Sequence, residues 1–273
     1  MTRSLSDTPI AADDRGLAYG DGLFETVLVR DGEPQLWPQH MARLARGCRA
    51  LGIPMPAAAE LDGLPGQAGA GLMVLKLIVT RGSGGRGYLP PSPAEPRLLW
   101  QLSRFAPQVE RWEAGVRVRH CRLQLGIQPA LAGLKHLNRL ENVLARSEWD
   151  DPEVAEGLLC DSQGSLVEAT CMNLFWQRRG RLETPRLDGS GVAGTLRAAL
   201  MERLPITEVV AGPEVLAEAE AVWLGNSLQG LWPVIRLDTA DGAMQRCWTL
   251  AGLRRDIQRE AHELLGYPAE FGH

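Results

Sequence analysis

The hydrophobic pattern of the first half of the chain predicts strands around one long helix. Three segments have the alternation or the continuous apolar character of strands: Phe24–Arg30, Leu72–Thr80 and Leu98–Leu102. The dipeptide Asp31-Gly32 predicts a hairpin turn into Pro34–Trp37. Apolar residues recur at helical spacing from Met41 to Leu51, so we predict a helix that begins near Pro38 and closes at Gly52.

The second half has the same mixture of elements. Strands are predicted at Val116–His120, Gly157–Cys160, Leu166–Glu168, Asn173–Gln177 and Ala221–Leu224. Helices are predicted over Leu137–Trp149, from Thr195 onward and over Leu250–Leu265. Short strands joined by hairpin turns indicate the α+β class with much antiparallel pairing. The segment Phe105–Gln108 is the candidate boundary between an N-terminal lobe, residues 1–106, and a C-terminal lobe, residues 107–273.

Composition narrows the class of protein. The 273 residues are 45% hydrophobic and 23% charged, as in ordinary soluble domains, and the net charge of −4 gives no case for a nucleic-acid partner. The sequence has neither a membrane-spanning apolar run nor, over residues 1–14, a signal-peptide core. Five scattered cysteines without a C-x-x-C pair favour neither disulfides nor a zinc site. We therefore expect a cytoplasmic protein without a nucleic-acid or membrane partner.

Lysine is rare in this chain. Of 29 basic residues, only Lys76 and Lys135 are lysines. Arginine replaces lysine wherever charge alone is needed, but it cannot supply an amine that loses its proton. Either lysine could form a Schiff base with an aldehyde cofactor, or be a solvated surface charge.

Several segments could bind a phosphorylated cofactor. The loop Gly191–Thr195 leads directly into a predicted helix, so it is either a phosphate site or an ordinary helix cap. Strand-end donors at Asn226-Ser227 and a clamp from Arg43 could add to such a site. Glu168 could face a pyridine nitrogen or be an exposed strand carboxylate.

The glycine-rich segment Arg81–Tyr88 follows a strand but precedes Leu-Pro-Pro instead of a helix. It therefore fails the tests for a nucleotide-binding loop. Two interpretations stay open: a substrate loop that offers Arg81 or Arg86 to a carboxylate, and a glycine-rich hairpin with solvated arginines.

Five ordered motifs resemble those of the fold-type IV pyridoxal-phosphate enzymes, the group of branched-chain and D-amino-acid transaminases and aminodeoxychorismate lyases. These motifs are Asp14–Thr26, His40–Leu44, Gly133–Glu141, Glu168 with Asn173–Phe175, and Gly194–Arg197. The segments Arg81–Tyr88 and Lys135–Glu141 are similar to those of the lyases in particular. The first strand, shortened to Met1–Ala12, departs from the family pattern, which concerns the N-terminal edge strand and not the active site.

The resemblance implies a site, a fold and a reaction. It implies pyridoxal 5'-phosphate as cofactor on Lys135 as a Schiff base, with Glu168 facing the ring nitrogen, in a cleft between two α/β lobes of a homodimer. Cofactor-binding residues implied by the matching positions are Arg43, Asn173, Gly194, Thr195, Asn226 and Ser227, and candidate substrate contacts are Arg81, Arg86 and Thr26. Lys76 becomes the second lysine, near the substrate.

The expected reaction is the conversion of 4-amino-4-deoxychorismate to 4-aminobenzoate and pyruvate, a step of folate biosynthesis. A D-amino-acid or branched-chain aminotransferase of the same fold is the alternative. A non-catalytic cofactor-binding protein and an α+β protein without cofactor are the remaining hypotheses.

Overall fold

The structure, a computed structural model, describes residues 2–4, 9–251, 253 and 255–269, the first three by their backbone alone. The chain forms two compact units. Unit 1 falls within residues 1–106 and includes Leu134–Asn138, whereas unit 2 falls within residues 107–133 and 139–273.

Unit 1 is built on a five-stranded sheet with the strand order β1-β5-β4-β2-β3. Its strands are β1 (Thr2–Ser4), β2 (Gly22–Arg30), β3 (Glu33–Pro34), β4 (Leu72–Thr80) and β5 (Arg97–Arg104). Its helices are α1 (Arg15–Tyr19), α2 (Trp37–Leu51) and α3 (Ala58–Leu61), and a 3₁₀ turn spans Pro65–Ala68. The predicted strands and the predicted long helix are confirmed, with β4 in the centre of the sheet.

One face of this sheet packs on α2 and forms the core of unit 1. Alternate residues of β2 and β4 point to that face, as the period of a strand requires. Core members include Leu23, Val27, Leu44, Leu75 and Leu77. Gly52 ends α2 in the left-handed conformation, with φ of 62°, as the sequence predicts. The predicted strand Pro34–Trp37 is wrong in its extent, because Leu36 turns left-handed with φ of 56° and α2 begins at Trp37.

Unit 2 contains a nine-stranded sheet with the order β11-β10-β9-β12-β13-β6-β7-β8, and β14 pairs with β13. Its strands are β6 (Val116–Leu125), β7 (Val154–Asp161), β8 (Leu166–Ala169), β9 (Asn173–Arg178), β10 (Arg181–Pro185), β11 (Ile206–Val209), β12 (Ala221–Asn226), β13 (Gly230–Asp238) and β14 (Met244–Cys247). Its helices are α4 (Val109–Ala114), α5 (Leu140–Arg146), α6 (Thr195–Arg203) and α7 (Asp256–Leu264), with a 3₁₀ turn at Pro213–Ala217.

The hairpin between β7 and β8 shows how local sequence sets this fold. Asp161 Oδ1 accepts the backbone N–H groups of Gln163 and Ser165 at 2.9 and 3.0 Å. Gly164 supplies the left-handed residue of the turn with φ of 86°. Glu168 thereby lies in β8, antiparallel to β7, as the sequence predicts.

Two predicted helices differ from the structure. The helix predicted over Leu137–Trp149 is the shorter α5, because Leu137 donates a backbone hydrogen bond to Gly22 of β2 and is extended. The helix predicted over Leu250–Leu265 begins only at Asp256, and residues 252 and 254 lie outside the described part of the chain.

The α+β class is confirmed, although its pairing is less antiparallel than the sequence suggests. Four strand pairs are parallel: β1 with β5, β10 with β11, β13 with β6, and β6 with β7. None of the helices in the part of the chain that the structure describes combines the length and apolar character required to cross a bilayer.

Candidate active site

Lys135 lies on a short extended segment beside the open edge of β2. Phe24 N–H donates to Lys135 O at 2.9 Å, and Leu137 N–H donates to Gly22 O at 3.0 Å. This pairing explains why Leu134–Asn138 groups with unit 1, whereas the sequence places Lys135 in the C-terminal lobe. The Nζ atom of Lys135 lies 4.3 Å from the centre of the Phe24 ring, which fixes the amine over an aromatic face.

A buried ionic cluster supports the same strand from its other face. Glu25 of β2 is 1% exposed, and its carboxylate accepts Arg43 Nε at 2.8 Å and a second Arg43 nitrogen at 2.5 Å. The Nδ1 atom of His40 lies 2.6 Å from the same carboxylate. Because a carboxylate only accepts, Nδ1 carries the proton. Arg43 and His40 are three residues apart on α2, so one helix face presents both to Glu25.

The cluster shifts the protonation of its members. Burial alone would raise the pKa of Glu25, but the charge and hydrogen bonds of Arg43, with the hydrogen bond of His40, lower it to about 2. Burial lowers the pKa of His40, and the charges of Arg43 and Lys135 act in the same direction. Near neutral pH the cluster is therefore an anionic glutamate between a guanidinium and a neutral imidazole.

The structure distinguishes Arg81 from Arg86, the two arginines of the glycine-rich segment, whereas the sequence offered either one as a substrate contact. Arg81, 8% exposed, binds Asp21 with Nε and Nη2 at 2.7 and 3.0 Å and the carbonyls of Gly52 and Leu51 at 2.9 and 2.6 Å. These bonds occupy its guanidinium and argue against a substrate role for Arg81. Arg86 is exposed, and the structure records no ion pair for it among the described residues.

Arg15 shapes the loop in which Arg86 lies. Its guanidinium donates to the carbonyls of Gly87 and Tyr88 at 2.9 and 3.2 Å and binds Asp21 at 2.9 Å. Burial would raise the pKa of Asp21, but the hydrogen bonds of Arg81 and Arg15 lower it. Arg15 thus holds the loop to the rest of unit 1 through the backbone carbonyls of the loop.

In unit 2, Glu168 is buried and anchored. It is 4% exposed, and its Oε2 accepts the Val192 N–H at 2.8 Å. The alternative of an exposed strand glutamate is therefore wrong. The charge of Glu168 also acts on Arg139, whose pKa is lowered chiefly by burial.

The loop before α6 is fitted tightly to β9. Asn173, 7% exposed, donates from Nδ2 to Val192 O at 2.9 Å. A Cβ atom on Gly194 would collide with Asn173 Oδ1, so this position accepts only glycine at the present spacing. Gly194 caps α6 without a side chain, and Thr195, 3% exposed, is the first helical residue. The N–H groups of the first helical turn lie outside the helical hydrogen-bond ladder and favour an anion.

Asn226-Ser227, which the sequence offered as phosphate donors, lies where β12 ends and the turn to β13 begins. Asn226 Oδ1 accepts the N–H groups of Leu228 and Gln229 at 3.0 and 2.8 Å, and its Nδ2 donates to Cys171 O at 3.3 Å. Asn226 thereby shapes the turn that carries Ser227 and ties it to the β8–β9 connection. Asn173 and Glu168 flank the same connection.

The residues present fit a phosphorylated pyridine cofactor. Within unit 2, Thr195, Ser227 and the first turn of α6 offer neutral donors of the kind that a phosphate accepts. Glu168, fixed by the Val192 N–H, can accept from a protonated ring nitrogen. Gly194 has no side chain where it approaches Asn173. The backbone of the loop before α6 therefore lies beside these donors.

The sequence analysis gave no role to Glu25 or His40, which the structure places around Arg43. A signal existed for this cluster, since Glu25 has the same strand parity as the buried Leu23 and Val27. A carboxylate on a core face requires a buried cationic partner, and Arg43 and His40 share one helix face.

An open cavity of about 500 Å³ lies elsewhere in unit 2. Its lining residues include Gln177, Arg181, Leu182, Leu204, Trp223 and Ile257. None of the candidate residues lines it, so this cavity is not the predicted site.

Comparison with known proteins finds relatives that match most of the chain. The amino-transferase class IV family matches residues 22–237. The aminodeoxychorismate lyase of Vibrio harveyi is 36% identical, over 84% of this chain and 88% of its own. The crystal structure of the 4-amino-4-deoxychorismate lyase of Pseudomonas aeruginosa superimposes with a TM-score of 0.85, with 44% identity over 94% of this chain and 95% of that one. A putative branched-chain-amino-acid aminotransferase of Methanocaldococcus jannaschii is 28% identical, over 85% of this chain and 84% of its own.

Proposed function

Because the chain belongs to the amino-transferase class IV family, whose members use pyridoxal phosphate, we propose that it is an aminodeoxychorismate lyase. It converts 4-amino-4-deoxychorismate to 4-aminobenzoate and pyruvate, a reaction of folate biosynthesis. The observation that carries this proposal is the 44% identity with a lyase structure over 94% of the chain. The expectation drawn from the five motifs points to the same enzyme.

Each unit by itself offers candidate contacts to the cofactor. In unit 1, Lys135 would bind the aldehyde carbon, and Arg43 is the candidate for a phosphate contact. In unit 2, Thr195, Ser227 and the loop at Gly194 would bind phosphate, and Asn173 and Asn226 hold these segments in place. The Glu25 carboxylate accepts hydrogen bonds from both Arg43 and His40, so Glu25 and His40 together position Arg43.

The chemistry divides between the cofactor and the protein. When bound, pyridoxal phosphate accepts the electron pair that remains after a proton leaves the carbon bearing the substrate amine. Lys135 Nζ removes that proton, and Glu168 holds a proton at the ring nitrogen. The electron pair then returns to the substrate ring as its C–O bond breaks, and the enolpyruvyl group leaves with the bonding electrons and takes up a proton to become pyruvate. The ring that remains is aromatic, which makes the step strongly favourable.

An aminotransferase is the second candidate function, and the 28% identical aminotransferase relative favours it. It shares the proton removal by Lys135 with the lyase. The two functions separate by product, since the lyase releases pyruvate and 4-aminobenzoate, whereas an aminotransferase leaves the amino group on the cofactor and passes it to a keto acid.

The first experiment compares the wild type with K135A and K135R. The purified wild type should be yellow and should release both lyase products. Both variants should lose the colour and the turnover together, because neither side chain can form the covalent bond, although K135R keeps the positive charge. Circular dichroism provides the folding control. A yellow, active K135A enzyme contradicts the assignment of Lys135, and a yellow wild type that only transfers amino groups contradicts the lyase.

We further propose that the enzyme is a cytoplasmic homodimer. Among the described residues, none of the five cysteines is in a disulfide, which suits a reducing compartment. On α5, Leu140, Val143 and Leu144 are 76%, 57% and 60% exposed, and they form one apolar helix face. Such a stripe is typical of a surface that another chain covers.

A further inference from the structure

The turn that carries Ser227 is held by two aromatic side chains. Tyr267, which follows α7, donates its hydroxyl hydrogen to Leu228 O at 2.6 Å. Trp112 of α4 donates its indole N–H to Gln229 O at 2.6 Å. Both distances lie at the short end of the range for hydrogen bonds. The two donors are 39 and 117 residues away from their acceptors in the chain, so tertiary packing brings them to the turn.

These bonds fix two successive peptide groups of the turn. The first peptide group lies between Leu228 and Gln229. Its carbonyl accepts from Tyr267, and its N–H donates to Asn226 Oδ1 at 2.8 Å. The carbonyl of the next peptide group accepts from Trp112. Because a peptide group is planar, one that is bound at both ends cannot rotate without losing a hydrogen bond. Removal of the Tyr267 hydroxyl would release the carbonyl end of the first group.

Close packing holds Tyr267 in place for this bond. The centre of its ring lies 4.8 Å from that of Trp112 and 5.9 Å from that of His262. All three side chains are buried. The backbone N–H of Tyr267 donates to His262 O at 2.9 Å, and Gln258 Nε2 of α7 donates to Trp112 O at 2.9 Å. The hydroxyl therefore reaches the turn from a tightly packed cluster and has little side-chain freedom left to lose.

The same cluster touches the backbone where the turn enters β13. Gly230 has a φ of 69°, and a Cβ atom there would lie 2.8 Å from Cδ2 and from Nε2 of His262. The imidazole thus packs directly on the backbone at Gly230, where a side chain would not fit. A displacement of the segment that carries His262 and Tyr267 would consequently displace the turn.

The bonds from Tyr267 and Trp112 use only acceptors of the turn. Carbonyl oxygens carry negative partial charge and would repel a phosphate, and these two are occupied by aromatic donors instead. The hydroxyl of Ser227 stays on a half-exposed side chain. A site whose donors are already oriented binds more tightly, because ordering them during binding costs free energy.

Resting on the proposed cofactor site, we propose that Tyr267 is a positioning residue for the cofactor phosphate. Its hydroxyl fixes Leu228, and through it the neighbouring Ser227, so the turn is ordered before the cofactor binds. The contacts proposed for the pyridine nitrogen and the aldehyde come from other segments, at Glu168 and Lys135. The effect of Tyr267 is therefore specific to the phosphate.

The test uses two cofactors that differ only in the phosphate. The Kd values of pyridoxal phosphate and of pyridoxal are measured by fluorescence titration of the apoenzymes of the wild type and Y267F. This substitution removes the hydroxyl and keeps the ring. It should raise the Kd of pyridoxal phosphate about fivefold and change that of pyridoxal by less than about twofold. W112F, which removes the second donor, should show the same selective loss and decides the question if Y267F does not fold.

The matched control is W248F, which also removes an aromatic donor to a backbone carbonyl of unit 2. Trp248 Nε1 donates to Ala219 O at 2.9 Å. Ala219 precedes the start of β12, whereas Ser227 follows its end. Both Kd values of W248F should stay within about twofold of those of the wild type.

Three results would overturn the role of Tyr267. They are an unchanged Kd of pyridoxal phosphate in Y267F, an equal rise for both cofactors, and a wild type that binds both cofactors equally well. The lyase function is decided separately, by the release of 4-aminobenzoate from the wild type at saturating cofactor. Its failure would leave the two Kd values, and the conclusion about Tyr267, as they are.

Discussion

At the scale of the residue, Glu25 shows how a charge is kept inside a small core. The carboxylate is nearly inaccessible to solvent and satisfies both a guanidinium and an imidazole from α2. A buried charge is tolerated only when it is paired and hydrogen-bonded. The same pairing fixes the direction of Arg43, so one interaction serves both the stability of unit 1 and the proposed phosphate site.

The Glu25 cluster predicts a pH-dependent stability. Its pKa of about 2, against 4.5 without the fold, corresponds to about 3 kcal/mol, present above pH 4.5 and lost as pH falls towards 2. E25Q should therefore lower the free energy of unfolding by roughly 3 kcal/mol at pH 7. Urea titrations from pH 7 to pH 3 should show this difference shrinking below pH 4.5.

The control for this titration is E33Q, at an exposed carboxylate of the same hairpin. It should unfold like the wild type at every pH. A constant difference between E25Q and the wild type down to pH 3 would show that the charge of Glu25 is not the source of its stabilisation.

Chemistry restricts the choice of some single residues in the sequence. Lysine scarcity reduces the Schiff-base candidates to two, and the order of the motifs selects Lys135, which stays a prediction. Arg81 was harder, because the sequence shows a charge in a glycine-rich loop but not the Asp21 carboxylate and the two carbonyls that occupy it. Such contacts bring together residues that are distant in the chain.

At the scale of the element, the start of α6 depends on one glycine. Gly194 lies against Asn173, which holds the loop through Val192. G194A should push the loop away from β9 and displace the first turn of the helix. We expect the Kd for pyridoxal phosphate to rise at least tenfold, measured by titrating the apoenzyme and following protein fluorescence.

G189A is the matched change in the same loop, because a Cβ there meets only Ile127 at an ordinary 3.5 Å. It should bind the cofactor within twofold of the wild type. Equal affinities of G194A and the wild type would refute the role of this close approach.

The apolar periodicity of α5 predicts the helix but not the surface that covers its apolar face. The spacing of Leu140, Val143 and Leu144 predicts an amphipathic helix, and the helix exists. Its apolar face is nevertheless exposed within this chain. Periodicity identifies which residues share a face, but it does not say whether the covering surface belongs to the same chain.

At the scale of the whole molecule, the exposed stripe leads to a test of assembly. L140E with L144E places two charges on the α5 face and should convert a dimer to a monomer, because a buried interface does not tolerate unpaired carboxylates. Light scattering after gel filtration measures the mass. The substitutions are at the surface of the chain, so its melting temperature as a monomer reports whether each chain still folds.

E141Q, at the neighbouring position on α5, serves as the control and should keep the mass of the wild type. A doubly substituted protein with the mass of two chains would show that α5 lies outside the interface. A wild type with the mass of one chain would refute the dimer itself.

The order of strands was largely beyond the sequence. Most strands could be found one at a time from their alternation, and the β7–β8 hairpin from its turn. The position of β6 between β13 and β7 could not, because its partners lie far apart in the chain and both pairings are parallel. Local patterns carry little information about such long-range register.

The scarcity of lysine also makes this chain a simple object for chemical labelling. Apart from a terminal amine, Lys76 and Lys135 carry the only side-chain amines that an amine-selective acylating reagent can modify. In the proposed assignment the cofactor occupies the nitrogen of Lys135, so the holoenzyme should take up label at Lys76 alone and the stripped protein at both. Peptide mass mapping with a general surface reagent thus becomes a direct count of how many enzyme molecules are charged with cofactor.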